Sequence, residues 1–166
     1  MVLTLAAAAQ GCATALPVAF DYNSARYVLE KGTNEIVGRA AIVSKGGYER
    51  TCEDDGVSLL PETPYWNAWR DRIVSEYDGK YAPRVSIQAV SVDEAAKGVT
   101  RHVDCDGSGH FRFEKVADGK YYVFSTIFWL LRWQQNGGGL IQEVEVHKGQ
   151  KAVVSLIKDW RTSKTL

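Results

Sequence analysis

Residues 104–124 read Asp104-Cys-Asp-Gly-Ser-Gly-His-Phe-Arg-Phe-Glu-Lys-Val-Ala-Asp-Gly-Lys-Tyr-Tyr-Val-Phe124 and decide the fold. Asp106-Gly107 and Asp118-Gly119 are turn dipeptides. Between them His110-Phe111-Arg112-Phe113-Glu114 alternates strictly, which puts both phenylalanines on one face of a strand and the polar side chains on the other. After the second turn, Tyr121 to Leu131 is almost wholly apolar, as in a strand buried on both faces. Two turns and two strand starts within one short stretch predict a mostly-β chain folded as a sandwich.

Working outward, Val99 to Val103 leads into this stretch, and Arg84 to Val92 (RVSIQAVSV) alternates as a strand would. Glu35 to Ser44 has strand composition and is ended by Gly46-Gly47, while Val57 to Leu60 is closed by Pro61. On the C-terminal side, Gln134 to Gly139 (QQNGGG) reads as a flexible connection. Leu140 to His147 and Ala152 to Lys158 read as a final hairpin across Lys148-Gly149-Gln150, followed by a loose polar tail over 159–166.

One helix is expected, over about residues 63–78. Thr63 is a good N-cap, Pro64 a good first helical residue, and Gly79 a good stop. Trp66, Trp69, Ile73 and Tyr77 recur at helical spacing and make an apolar stripe. The stripe is most simply a face packed on the sandwich. The alternative is a surface platform, with Trp66, Trp69 and Trp133 as candidate ligand-binding aromatics.

The 166 residues suit one domain, and 20 basic against 20 acidic residues leave no net charge. That balance gives no electrostatic case for nucleic acid or for an anionic membrane surface. No apolar run reaches the ~20 residues that span a bilayer. Met1 to Leu16 is nevertheless apolar and rich in small residues. Its segment Leu5 to Cys12, ending Ala9-Gln-Gly-Cys12, resembles the tail of a bacterial lipoprotein signal. The resemblance implies a leader over 1–11 and lipid on Cys12, with a lipid-attachment segment and linker over 12–34. It also implies residence in the bacterial cell envelope, anchored by lipid. Pro17 to Tyr27 itself reads as a linker or short edge strand.

The motif Asp104-x-Asp-Gly-x-Gly-x-Phe-x-Phe, followed by Val116-x-Asp-Gly-x-Tyr-Tyr-Val, resembles the carboxypeptidase regulatory-like, or transthyretin-like, domain. Gly149 and the final Ala152-Val-Val-Ser-Leu156 strand resemble its closing hairpin. The resemblance covers about residues 35–158 and implies a single seven-stranded antiparallel sandwich into which the helix is inserted. It also implies an accessory or binding module rather than an enzyme.

Cys52 and Cys105 lie in two turn-like segments, and with Cys12 lipidated they are an even pair. In an oxidising compartment they would join; in a reducing one they would be core thiols. Asp104, Asp106 and Ser108 occupy early positions of a calcium loop, but the closing position holds Lys115, so a solvated turn is the simpler reading. Neither zinc spacing nor a nucleophile motif accompanies His102, His110 and His147. The expectation is a non-catalytic envelope lipoprotein without a cofactor. It would bind or assemble with other envelope proteins, with carbohydrate or peptidoglycan binding as the alternative and a transthyretin-like hydrolase as the remote one.

Overall fold

The computed structural model describes residues 13–74 and 79–161. In chain order it forms β1 (Thr14–Ala15), α1 (Tyr22–Ala25) with a 3-10 turn at Arg26–Leu29, β2 (Lys31–Val43), β3 (Glu49–Thr51) and β4 (Val57–Pro61). There follow α2 (Pro64–Ile73), β5 (Tyr81–Pro83), α3 (Arg84–Gln88), β6 (Val90–Ser91), α4 (Glu94–Lys97) and β7 (Arg101–Val103). The chain ends in β8 (His110–Val116), β9 (Gly119–Leu131), β10 (Gln134–Val146) and β11 (Lys151–Asp159). Cys12, and with it the expected lipid attachment, lies outside the described residues.

The strands make a β-sandwich. One sheet has the order β5-β10-β9-β4-β7. The other is built on β2, with β11 along one edge and β8 then β3 along the other. The described strands number eleven rather than the expected seven. Pieces as short as β1, β5 and β6 carry too few residues to show a hydrophobic period.

The inner faces meet in one core. Ile36, Ile42, Phe111, Phe113 and Leu156 from the β2 sheet pack on Val57, Tyr121 and Val123 from the other. A second cluster covers the outer face of the five-stranded sheet, where Tyr65, Trp66, Trp69 and Ile73 of α2 lie with Leu60, Tyr122 and Ile141. Tyr121 and Tyr122 thus enter opposite cores, which is why β9 is apolar on both faces. The Thr63 hydroxyl accepts from the Trp66 amide (3.4 Å) and starts α2 as expected.

Several local expectations are corrected. The segment ahead of residue 35 is not a linker throughout. The Asp21 carboxylate caps α1 through the Asn23 and Ser24 amides (3.0 and 3.2 Å), and Ala25 and Val28 are buried in the core. Arg84 to Val92 is not one strand. It forms α3, capped by the Ala89 amide donating to the Val85 carbonyl (3.0 Å), and then β6. So short an alternation fits a helical turn equally well, and packing of Ile87 on the second core decides it.

The closing hairpin is also absent. β10 pairs with β9 and β5, whereas β11 runs parallel to β2 in the opposite sheet, so the sandwich is not wholly antiparallel. Lys148 and Gly149, both at positive φ, turn the chain from one sheet to the other. Asn34 fixes that crossing. Its Nδ2 donates to the Val116 carbonyl (3.0 Å) and the Asp118 carboxylate (2.7 Å), and its Oδ1 accepts from the Gln150 amide (2.8 Å). The Lys148 amide also donates to Asp118 (3.1 Å), and these donors hold the Asp118 carboxyl below the usual carboxylate range.

Candidate functional site

β9 and β10 pair along their full 13 residues, about 40 Å of ribbon. β4 supports β9 only at Tyr121–Phe124, and β5 supports β10 only at Gly138–Leu140. Ile127 is still buried in the core and Trp129 packs against it, and beyond them the ribbon runs out through exposed Leu130 and Leu131 to a two-residue turn, Arg132-Trp133, with φ of 50° and 67°. Such a turn favours Asn-Gly, and placing Arg-Trp in it costs backbone strain.

The expected flexible connection Gln134 to Gly139 is therefore strand. Its glycines serve close packing, and Gly137 also holds a φ of 97° that favours glycine. A Cβ on Gly138 would meet the Tyr81 ring at 2.6 Å, and one on Gly137 would meet the Trp129 ring at 2.9 Å. The bare backbone lets both rings lie against β10, as cross-strand aromatics cover glycine in sheets. The Tyr81 hydroxyl donates to the Gly137 carbonyl (3.0 Å), and burial raises its phenol above the ordinary value, so it stays a protonated donor.

Trp160 joins them from the opposite sheet. Its amide donates to the Val43 carbonyl (2.9 Å), so the chain is ordered past β11 where a loose tail was expected to begin at Asp159. The Trp160 and Tyr81 rings meet edge to face at 5.2 Å, and Lys158 Nζ lies 5.1 Å over Trp160 and 5.8 Å over Tyr81. The β2–β3 turn closes the fourth side. There the Ser44 amide donates to the Tyr48 carbonyl (2.8 Å), leaving the Tyr48 ring 75% exposed.

The result is a cleft of about 720 Å³ at the open end of the sandwich, walled by Tyr48, Tyr81, Trp129, Leu130, Leu131 and Trp160. Gln135, Asn136, Ser44, Lys45 and Arg50 supply its polar groups. Planar apolar faces beside amide and cationic donors are what an amphipathic, hydroxyl-bearing ring requires. A shallower depression of about 800 Å³ lies on the outer face of the β2 sheet. Its two arginines are already engaged, Arg112 with Glu35 (2.9 Å) and Arg39 through its Nε donating to the Ser108 carbonyl (2.7 Å).

The aromatics singled out from sequence are mostly elsewhere. Trp66 and Trp69 are only 3% and 4% exposed and form the second core, so the α2 stripe is a packed face and not a platform. Trp133 is 98% exposed at the ribbon turn, beside the cleft rather than in it. Tyr48, Tyr81, Trp129 and Trp160 come from four separate segments, and no single sequence period joins them.

Cys52 and Cys105 form a disulfide. Asp106 instead closes the β7–β8 turn, accepting from the Ser108 and His110 amides (both 2.9 Å). Among the described residues no group of three or more His, Cys, Asp or Glu, including Asp104 and Asp106, could hold a metal ion. Across β4 and β7 the Ser58 hydroxyl meets His102 Nδ1 (3.1 Å), a pair not read from the sequence. No carboxylate among the described residues is hydrogen-bonded to that ring.

No family model matches the chain, and no curated protein sequence does. A crystal structure of a candidate carbohydrate-binding protein from Pseudomonas aeruginosa is similar over 86% of this chain and 99% of its own, with a TM-score of 0.67 at 22% identity. At that identity the likeness is one of fold.

Proposed function

We propose that this protein is a non-catalytic carbohydrate-binding β-sandwich whose ligand lies in the cleft at its open end. The observation that carries the reading is the convergence of Tyr48, Tyr81, Trp129 and Trp160 on one cleft with Gln135 and Asn136. The pyranose faces stack on the rings, and the ring hydroxyls bond to the amides. The description of the Pseudomonas aeruginosa structure supports the same direction. The disulfide suits an oxidising compartment, which fits an exported, lipid-anchored envelope protein with Cys12 as the acylated residue. The motifs between Asp104 and Val123 support a kinship with carboxypeptidase regulatory-like domains.

Titration of the full chain with a panel of neutral and acidic soluble polysaccharides, followed by tryptophan fluorescence, tests the proposal. Trp129→Ala and Tyr48→Ala are expected to weaken binding by about tenfold or more, as loss of an aromatic anchor does. Unaltered binding in both variants, or no binding across the panel, overturns it.

A second reading rests on the ribbon tip, where Leu130, Leu131 and Trp133 are exposed together. An apolar tip of that kind suits contact with another envelope protein. Trp133→Ala separates the readings: unchanged saccharide affinity leaves the tip to a protein partner, and a loss assigns it to the sugar site.

A further inference from the structure

The charges around the cleft are sorted by sign. The charged residues that line it are Lys45 and Arg50, and no carboxylate is among its lining residues. The β2–β3 register explains the sorting. Arg50 stands opposite Ile42, whose side chain belongs to the inner core, so Arg50 is directed to the cleft side of the sheet. Its neighbour Glu49 points the other way and pairs with Arg39 on the outer face (2.5 Å). Asp159, at the end of β11, is held by the Arg161 guanidinium (2.6 Å). Lys158 adds a third cation above the Tyr81 and Trp160 rings. An adjoining depression does carry Glu49, Glu53 and Asp54 and shares Arg50 and Trp129 with the cleft. Even so, Arg50 and Lys45 have no ion-pair partner among the described residues.

We infer that the cleft selects an acidic saccharide, resting on the saccharide reading above. A sugar ring would stack on Trp129 or Tyr48 while its anionic substituent, a carboxylate or a sulfate ester, is received by Arg50 and Lys45. The planar guanidinium can present two parallel donors to either group. An arginine with no ion-pair partner among the described residues, beside the exposed Tyr48 and the half-buried Trp129, is the arrangement in which charge adds selectivity without desolvating a buried ion.

Two matched pairs of ligands test this. Oligogalacturonate is compared with its methyl ester, which removes the charge and keeps the backbone, and dextran sulfate is compared with dextran. The full chain should bind the acidic member of at least one pair about tenfold more tightly, the size of one charge-assisted hydrogen bond. The preference should fall as salt is raised from low ionic strength to about 1 M. Arg50→Gln with Lys45→Gln should bring the acidic ligand's affinity down to the neutral one's, at an unchanged melting temperature, while Trp129→Ala weakens both. A preference in the first pair assigns carboxylate, and in the second sulfate. Equal binding within both pairs, or a preference that survives the double substitution, overturns the inference and leaves the saccharide reading standing. No binding of any of these ligands overturns it as well, and the wider polysaccharide panel then decides the saccharide reading separately.

Discussion

Gly138 lies outside the left-handed region of φ, yet a Cβ there would come within 2.6 Å of both the Ala82 carbonyl oxygen and the Tyr81 ring. Backbone cannot give way cheaply, so Gly138→Ala is expected to destabilise by about 1–3 kcal/mol, as overpacking does. The melting temperature should fall by about 2–4 °C for each kcal/mol. At Gly46 the nearest atoms to an added Cβ are 3.5 Å away, and Gly46→Ala should stay within about 0.5 kcal/mol of the parent. Thermal melts of both variants check this, and the sign is informative. Were residues 134–139 a flexible connection, Gly138→Ala would stabilise by about 0.4–1 kcal/mol through the unfolded chain. This residue shows why the site was poorly legible. A glycine run in sequence signals freedom, and only the partner rings, Tyr81 from 57 residues upstream in β5 among them, reveal it as a contact surface.

At the scale of elements, β8 shows what a sequence states well. Its alternation is long enough to fix faces, and Phe111 and Phe113 are 4% and 0% exposed with rings 6.1 Å apart. The intervening Arg112 points outward to Glu35 (2.9 Å) and Glu114 (3.2 Å). Phe113→Ala should cost about 3–5 kcal/mol, from lost transfer energy and the cavity left behind. Arg112→Ala should move the melting temperature little, because exposed ion pairs are screened by water and salt. A one-residue slip of β8 against β2 would exchange the two results, so the pair of melts reads register as well as burial. The start of α2 was legible for the same reason, a cap followed by apolar residues at helical spacing. The helix ends at Ile73 with Val74 extended, short of the expected residue 78, and Tyr77 lies outside the described residues. Its partner surface was not legible. Period identifies the apolar face and leaves open whether protein or ligand covers it. Here Tyr122 and Ile141 of the sheet cover Trp66 and Trp69.

Over the whole molecule, the disulfide connects what the sheets leave loosely joined. Cys52 follows β3 and Cys105 precedes β8, so the bond closes a loop of sequence separation 53 that contains β4, all three of the later helices and β7. Within that loop the strands other than β4 have two or three residues each, and such short pairings contribute little cooperativity. The sequence offered the cysteine pair but not its state, which depended on a compartment inferred from residues ahead of the described chain. A cross-link of this span restricts the unfolded ensemble by about 4 kcal/mol on the chain-entropy account, and native bridges commonly contribute about 2–4. A domain has about 5–15 kcal/mol in all, so the chain should remain folded without the bridge, at a clearly reduced margin. Urea unfolding of the parent and of the Cys52→Ala, Cys105→Ala double variant measures the difference. The variant is expected to show a lower midpoint by about 1–2 M, given the slopes usual for small proteins. Its slope should also be steeper, because an uncrosslinked unfolded chain exposes more surface. The parent in reductant should follow the variant's curve. Superimposable curves for oxidised parent and variant would mean that the segment between residues 52 and 105 is held by its own packing on β9 and β10, with the disulfide adding nothing.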